Sequence, residues 1–361
     1  MTAPRPLPEP AHRARAGRLG EQGGFALVIV MWLFTVLFVL GAEFAGAMRQ
    51  DATATKNFAD ETQSYYLATA AANLTFYRAF LDRDRGTRTE LVAQGQAGQP
   101  GLDEEGDQGP LVHRDGQWHE VELWGAPVMV RVTDEGGKIP INFPASAYDT
   151  KLQPLLVQVL GNMGVEVDTA SAIADAVVDW QDSDDEHRVN GAESDYYLDL
   201  PKPYIAKNAR LDSIEELLLV KGVTPELFYG GSEEYPVGLR DIFTVFNNTS
   251  EVNLRFATPE VKRALFGLDD EELAQIEQQV SEGQGSVLQV LEGRLPVQLQ
   301  GGNLVSETDA NSAILTVEAQ AQLPSSRVKA HVGAVIDIEE SNEGIVVFRW
   351  MDQMAVADTS T

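Results

Sequence analysis

The chain has 361 residues, 43% of them hydrophobic, and Asp plus Glu outnumber Lys plus Arg by 55 to 27, for a formal charge of -28. Such a balance repels nucleic-acid phosphate and makes DNA and RNA poor candidate partners, so no nucleic acid is expected; the absence of cysteine excludes disulfides, thiolate metal sites and cysteine nucleophiles together. The length exceeds what one hydrophobic core usually organises, so more than one domain is expected.

The first 24 residues are rich in Pro, Ala and Arg, with Arg5, Arg13, Arg15 and Arg18 ahead of an apolar run. From Phe25 to Ala42 that run, FALVIVMWLFTVLFVLGA, holds 18 uncharged residues, which as a helix rise about 27 Å and just span a bilayer core. The arginines predict that the leading end stays in the cytoplasm. The same pattern describes an ordinary signal peptide cut near Ala47, or an uncleaved anchor in which Gly24 is a helix-entry residue. The junction Gly23-Gly24-Phe25, by contrast, resembles a prepilin-peptidase site, where cleavage after Gly leaves Phe at the head of the membrane helix. Beyond Glu43, the positions Phe44, Met48, Ala52, Phe58, Tyr65, Ala68, Ala72, Phe76 and Phe80 recur mostly at helical steps, and no Pro or Gly interrupts residues 47–82. One helix from Phe25 to about Leu81, roughly 85 Å long, is predicted. Pilin-like chains usually carry Glu at the fifth mature position, where it is held to meet a neighbour's N-terminal amine. Counted from Phe25, this chain has Ile29 there, a departure that suits a filament tip and for which the type II minor pseudopilin K family is known.

Residues 82–116 are polar and Gly-rich and predict a solvated loop. From Trp118 the pattern alternates: HEVELWG and APVMVRVTDEGG read as a hairpin running on into KIPINF, and AILTVEAQAQL, RVKAHVGAVIDIEE and GIVVFRWMDQM add three strands near the other end. Between them, helical patterns fill about 144–285. Asn142 and Asn253 each stand at a strand end before a helix start, where Asn bonds free backbone N–H groups. The predicted fold is α+β: a pilin-like long N-terminal helix, transmembrane in its first part, packed on an antiparallel sheet, with a large all-helical domain inserted. The expected divisions are a leader over 1–24, the helix over 25–82, the sheet domain over 83–143 and 286–361, and the insertion over 144–285.

The densest acidic stretch is Asp179-Trp180-Gln181-Asp182-Ser183-Asp184-Asp185-Glu186, followed by Gly191-Ala192-Glu193. Carboxylates crowded on one loop repel, and a hard cation such as Ca²⁺ relieves them, with Asp182, Asp184 and Glu193 the preferred ligands; a solvated acidic loop is the alternative. Together with Tyr196-Tyr197, Pro203-Tyr204, Lys207-Asn208, Glu215-Glu216-Leu217 and Val220-Lys221-Gly222, this stretch resembles, in order, the inserted helical domain of the pseudopilin K family. The resemblance implies Ca²⁺ in this domain. The segment SIEELLLVKGVTPELF also resembles a helix-hairpin-helix, but Glu215, Glu216 and Glu226 crowd it, and core packing of Leu217, Leu218 and Val220 is the plainer reading. No pair of catalytic carboxylates, G-x-S-x-G or phosphate loop appears. The histidines His12, His113, His119, His187 and His331 show no ligand spacing. No enzyme is expected.

The resemblance implies a minor pseudopilin of type II secretion, inserted in the inner membrane with its N-terminus cytoplasmic and its C-terminal domain periplasmic. It implies processing between Gly24 and Phe25 by the prepilin peptidase. The implied partners are I- and J-type minor pseudopilins, the major pseudopilin and the inner-membrane secretion platform, in a complex that initiates and caps the pseudopilus. The alternatives are a minor pilin of a type IV pilus and a membrane-anchored calcium-binding extracytoplasmic protein.

Overall fold

The computed structural model describes residues 23–93, 112–247, 249–283, 285–295, 304–307, 313–324, 326–338 and 345–352. The expected leader up to Gln22 and the stretch 94–111 of the expected loop lie outside the described residues. The chain divides into two compact units, residues 1–60 and 61–361.

In the first unit every described residue belongs to helix α1 (Gly23–Ala93). The helix contains an 18-residue window of mean hydropathy 2.7, long and apolar enough to cross a membrane. Phe25, Ile29, Trp32, Phe34 and Phe38 all present exposed side chains. The Thr35 hydroxyl donates back to the Met31 carbonyl at 2.9 Å, so the hydroxyl within this apolar stretch is satisfied by its own helix.

The second unit begins on the same helix. α1 continues to Ala93, beyond the expected end near Leu81, so residues 83–93 prolong the helix and do not open the loop or belong to the sheet domain. That stretch has no proline and a single glycine, Gly86, whose cost of about 1 kcal/mol slows a helix without ending it. The chain then forms β1 (Asp115–Leu123), β2 (Ala126–Asp134) and short β3 (Ile139–Pro140). It passes through α2 (Gln153–Asn162), α3 (Val167–Gln181), α4 (Ser194–Leu198), α5 (Pro225–Tyr229) and α6 (Leu239–Ile242). After β4 (Phe243–Thr244) and β5 (Val252–Asn253) come α7 (Pro259–Phe266), α8 (Asp270–Ser281), α9 (Val287–Leu291) and β6 (Val305–Ser306). It ends in β7 (Ile314–Gln322), β8 (Lys329–Asp337) and β9 (Val346–Met351).

The main sheet has the order β1-β2-β7-β8-β9 and is antiparallel throughout, so the strands from either side of the insertion do join one sheet. Alternation places Val128, Val130, Val132, Leu315, Val317, Ala319, Val332, Ala334 and Ile336 on one face. Against that face lies a stripe of α1: Leu67, Ala68, Ala71, Ala72, Phe76 and Ala79. The alanines let the helix approach closely, and Phe76, with Trp350 edge-on at 6.3 Å, fills the space they leave. Burying each large side chain of this layer contributes about 1.5–3 kcal/mol.

The helical insertion has its own core, running from Ile139, Ile141 and Phe143 through Tyr197 and Phe228 to Leu291, Leu295 and Leu304. It therefore begins before residue 144 and extends past residue 285, because β3 pairs parallel with β4 and β5 pairs parallel with β6, drawing the flanking segments into it. Among the described residues, polar contacts around Glu135 and Arg349 join this body to the sheet. Buried Glu135 accepts hydrogen bonds from Lys138 Nζ at 2.9 Å and from the Thr244 and Thr316 hydroxyls. Arg349 on β9 meets Glu215 in a two-pronged ion pair, both prongs 2.7 Å.

Candidate cation site in the acidic loop

α3 starts on Glu166, whose side chain accepts from the Asp168 and Thr169 N–H groups, and buries Ile173, Ala174, Val177, Val178 and Trp180. Its register fixes the site, since the last turn delivers Asp179 to the interior and leaves Asp182 as the C-cap. Both carboxylates stand at the negative end of the helix dipole, an unfavourable place for an anion. The loop returns through Gly191-Ala192 to Glu193 ahead of α4. Glu193 makes no capping bond to the α4 backbone. Its side chain is buried, 2% exposed overall, and both carboxylate oxygens lack any hydrogen-bond partner.

One oxygen each from Asp179, Asp182 and Glu193 lies within 4.8 Å of the other two. Asp179 is fully buried and Asp182 half-buried, and Asp182 Oδ1 is also without a partner. One cation enters the cluster. Arg188 Nη1 reaches Asp179 at 2.8 Å and Asp182 at 2.5 Å, while its Nη2 is held by Asp149 at 3.0 Å. A single guanidinium shared among three aspartates leaves Glu193 uncompensated. Burial, reinforced by the charges of Asp179, Asp182, Asp185 and Asp184, pushes the Glu193 carboxyl up to about 7. Burial also raises Asp182, despite its bonds from Arg188. A buried carboxylate with no partner is costly, and it is relieved either by taking a proton or by a cation.

The sequence pattern around the loop builds its walls. A Cβ on Gly191 would meet Asp179 Oδ2 at 1.8 Å, so only glycine leaves room for that carboxylate. Lys221 pins the turn by donating to the Gly191 carbonyl at 2.9 Å and the Asn190 carbonyl at 3.2 Å. Beneath lie Trp180, Tyr197 and Tyr204: Trp180 stands edge-on to Tyr197 at 5.2 Å, and Tyr197 stacks on Tyr204 at 5.1 Å. Asn208, at φ +49°, donates to the Asp184 carbonyl at 3.1 Å and to Asp185 Oδ1 at 3.3 Å, leaving its own buried Oδ1 without a partner.

Of the residues chosen from sequence, Asp182 and Glu193 converge. Asp184 does not join them: exposed, its carboxylate accepts the Glu186 N–H at 3.0 Å in a turn of the loop. Asp179 takes the third position. Its signal was present, because Asp179 and Asp182 are three residues apart at a helix end and therefore share a face. Asn142 does bond a backbone N–H, but that of distant Leu211 at 3.0 Å, whereas Asn253 accepts from Arg255 nearby. Leu217 and Val220 are buried, in keeping with core packing.

Residues 141–229, which contain the whole cluster, match the family described as "Type II secretion system (T2SS), protein K". The chain is 28% identical over 209 residues to type II secretion system protein K of Pectobacterium carotovorum subsp. carotovorum, covering 58% of this chain and 60% of that protein. It is 26% identical over 213 residues to the protein K of Aeromonas hydrophila, covering 58% and 61% respectively. It thus spans about 60% of the length of these two relatives. Its fold is similar to that of a chain in the crystal structure of the GspK-GspI-GspJ complex from enterotoxigenic Escherichia coli, with a TM-score of 0.56 and 16% identity over 83% of this chain and 99% of that one.

Proposed function

We propose that this chain, which carries a type II secretion protein K domain at residues 141–229, is a minor pseudopilin of the type II secretion system. In this reading α1 anchors it in the inner membrane with the arginine-rich end cytoplasmic, and the sheet and helical body work in the periplasm. The prepilin peptidase cuts between Gly24 and Phe25. The chain then joins I- and J-type minor pseudopilins in a tip complex, above the major pseudopilin and the secretion platform, that initiates and caps the pseudopilus. The observation that carries the reading is the union in one chain of the protein K domain with an apolar N-terminal helix whose later turns pack on an antiparallel sheet. A subunit with so large a body beside its sheet cannot easily be stacked repeatedly, whereas one copy at the end of a filament meets no neighbour above it.

No catalysis is proposed. The acidic cluster is a structural Ca²⁺ site, with Asp179, Asp182 and Glu193 supplying carboxylate oxygens and Asn208 a candidate fourth donor. Hard oxygen donors of this kind suit Ca²⁺, which takes six to eight at ~2.3–2.6 Å. The two orphaned oxygens of Glu193 support a bound cation over a solvated loop. The mature N-terminus tests the reading: mass spectrometry of the protein from its own membranes is expected to give Phe25 as the first residue, and Met1 or a residue near Ala47 when the peptidase is intact would overturn it.

A further inference from the structure

β1 opens on a bulge. Asp115 pairs with Thr133 and Trp118 with Arg131, so three steps of β1 face two of β2. At the bulge Gly116 takes φ +70°, where a Cβ would also approach Thr258 Cγ2 to 2.8 Å. Asp115 Oδ1 accepts the Gln117 N–H at 2.9 Å, which closes the turn and orients the carboxylate. In an unbroken strand, residues four apart stand about 13 Å from one another and share no ligand. Here the bulge folds Asp115 back until its two oxygens lie 3.0 and 2.9 Å from His119 Nε2.

His113, just before the strand, stacks its ring on that of His119 with centroids 4.6 Å apart. One ligand atom from each of His113, Asp115 and His119 falls within 4.8 Å of the other two. Two metal bonds of about 2.0–2.1 Å allow ligand atoms up to roughly 4 Å apart, so side-chain movements of about 1 Å close the set on an ion. The side chains are free to make them: His119 is 39% and Asp115 47% exposed. The neighbouring cation does not compete, since Arg114 is buried and ion-paired with Asp134 at 3.7 Å. Two imidazoles with one carboxylate are the donors of zinc-class transition ions, whereas Ca²⁺ and Mg²⁺ prefer oxygen alone.

We propose that His113, Asp115 and His119 form a binding site for one zinc-class divalent ion on the edge strand of the sheet, separate from the acidic loop. The ion takes the place of the direct contact between Asp115 and His119 Nε2, and the Gln117 N–H holds the carboxylate toward it as an outer-shell partner. Three protein ligands leave the fourth position of a tetrahedral ion to water.

The test is a Zn²⁺ titration of the full chain in detergent, free of any histidine tag, against a chromophoric chelator with excess Ca²⁺ present. One Zn²⁺ per chain is expected. His113→Ala with His119→Ala is expected to weaken it by about tenfold or more. Asp115→Asn, which keeps the acceptor for Gln117, is expected to act in the same direction. Asp182→Asn with Glu193→Gln leaves the Zn²⁺ affinity in place. Unchanged affinity in the histidine double variant, with an unchanged melting temperature in EDTA showing that it folds, overturns the proposal. So does a Zn²⁺ site lost only when the acidic loop is altered.

Discussion

A β-carbon on Gly191 would lie 1.8 Å from Oδ2 of Asp179, so the glycine in the turn and the buried carboxylate at the end of α3 require each other. Gly191→Ala is therefore expected to expel the Asp179 side chain or the turn itself. Overpacking of this kind costs about 1–3 kcal/mol. Thermal melting should show the loss, and Ca²⁺ should restore less stability than in the parent chain.

The proposed ligand set gives one expectation for Asp179 and Asp182 and the opposite one for Asp184. Asp179→Asn and Asp182→Asn should each weaken Ca²⁺ by tenfold or more, whereas Asp184→Asn should leave affinity within a few-fold. Saturating Ca²⁺ at about 100 times its dissociation constant should stabilise the parent chain by about 2.7 kcal/mol. Calorimetric titration of the three variants reads the difference; equal losses at Asp184 and Asp179 would reject the arrangement.

Glu193 makes the cation-free protein pH-sensitive. Between the ordinary glutamate value of 4.5 and about 7, the folded chain keeps a proton on Glu193 that the unfolded chain has released. Stability in EGTA should therefore fall as pH rises through that window, by up to about 3 kcal/mol. Glu193→Gln should flatten this slope and raise the melting temperature at pH 7 without Ca²⁺, while removing the gain from Ca²⁺. Ca²⁺ displaces the same proton, so its affinity should rise over the same pH range. Melting curves across pH, with and without Ca²⁺, measure both effects.

Arg349 and Glu215 join β9 to the helical body in a half-exposed pair. Burial alone would raise Glu215, but the two bonds from Arg349 outweigh it and hold the carboxyl at about 2. The stability it supplies is complete above the ordinary value and is lost as pH falls toward 2. Because both groups are solvated, Arg349→Ala should cost no more than about 1 kcal/mol at neutral pH, measured by urea unfolding.

With the proposed cleavage after Gly24, Ile29 becomes the fifth residue, the place where pilin-like chains usually carry a glutamate. Ile29→Glu would restore the carboxylate and with it a partner for a neighbour's N-terminal amine. The variant is expected to enter the body of sheared pseudopili, whereas the parent chain is expected at the tip alone. Immunogold counts along filaments distinguish the two.

The sheet and the long helix were legible because their periods are strong: the alternation of Val128, Val130 and Val132 and the helical recurrence of Ala68, Ala72 and Phe76 each describe one buried face. The end of α1 was not, since charged residues 83–93 look alike in a helix and in a loop. The limits of the helical body were hidden for a different reason. Two-residue parallel pairings such as Val252 with Val305 carry no local pattern. In the acidic loop, composition identified the cluster and the Gly191–Glu193 return. It could not separate Asp179 from Asp184, because that depends on where α3 stops. The histidines show the same limit, since the bulge at Gly116 that gathers His113, Asp115 and His119 leaves no ligand spacing in the chain.

The most direct test of the tip assignment is the mass of the complex formed when this chain is co-expressed with the I- and J-type minor pseudopilins of its own bacterium and purified in detergent. One particle containing a single copy of each is expected, from which the major pseudopilin does not displace this chain. A chain that elutes alone, or that assembles with copies of itself into filaments, would contradict it.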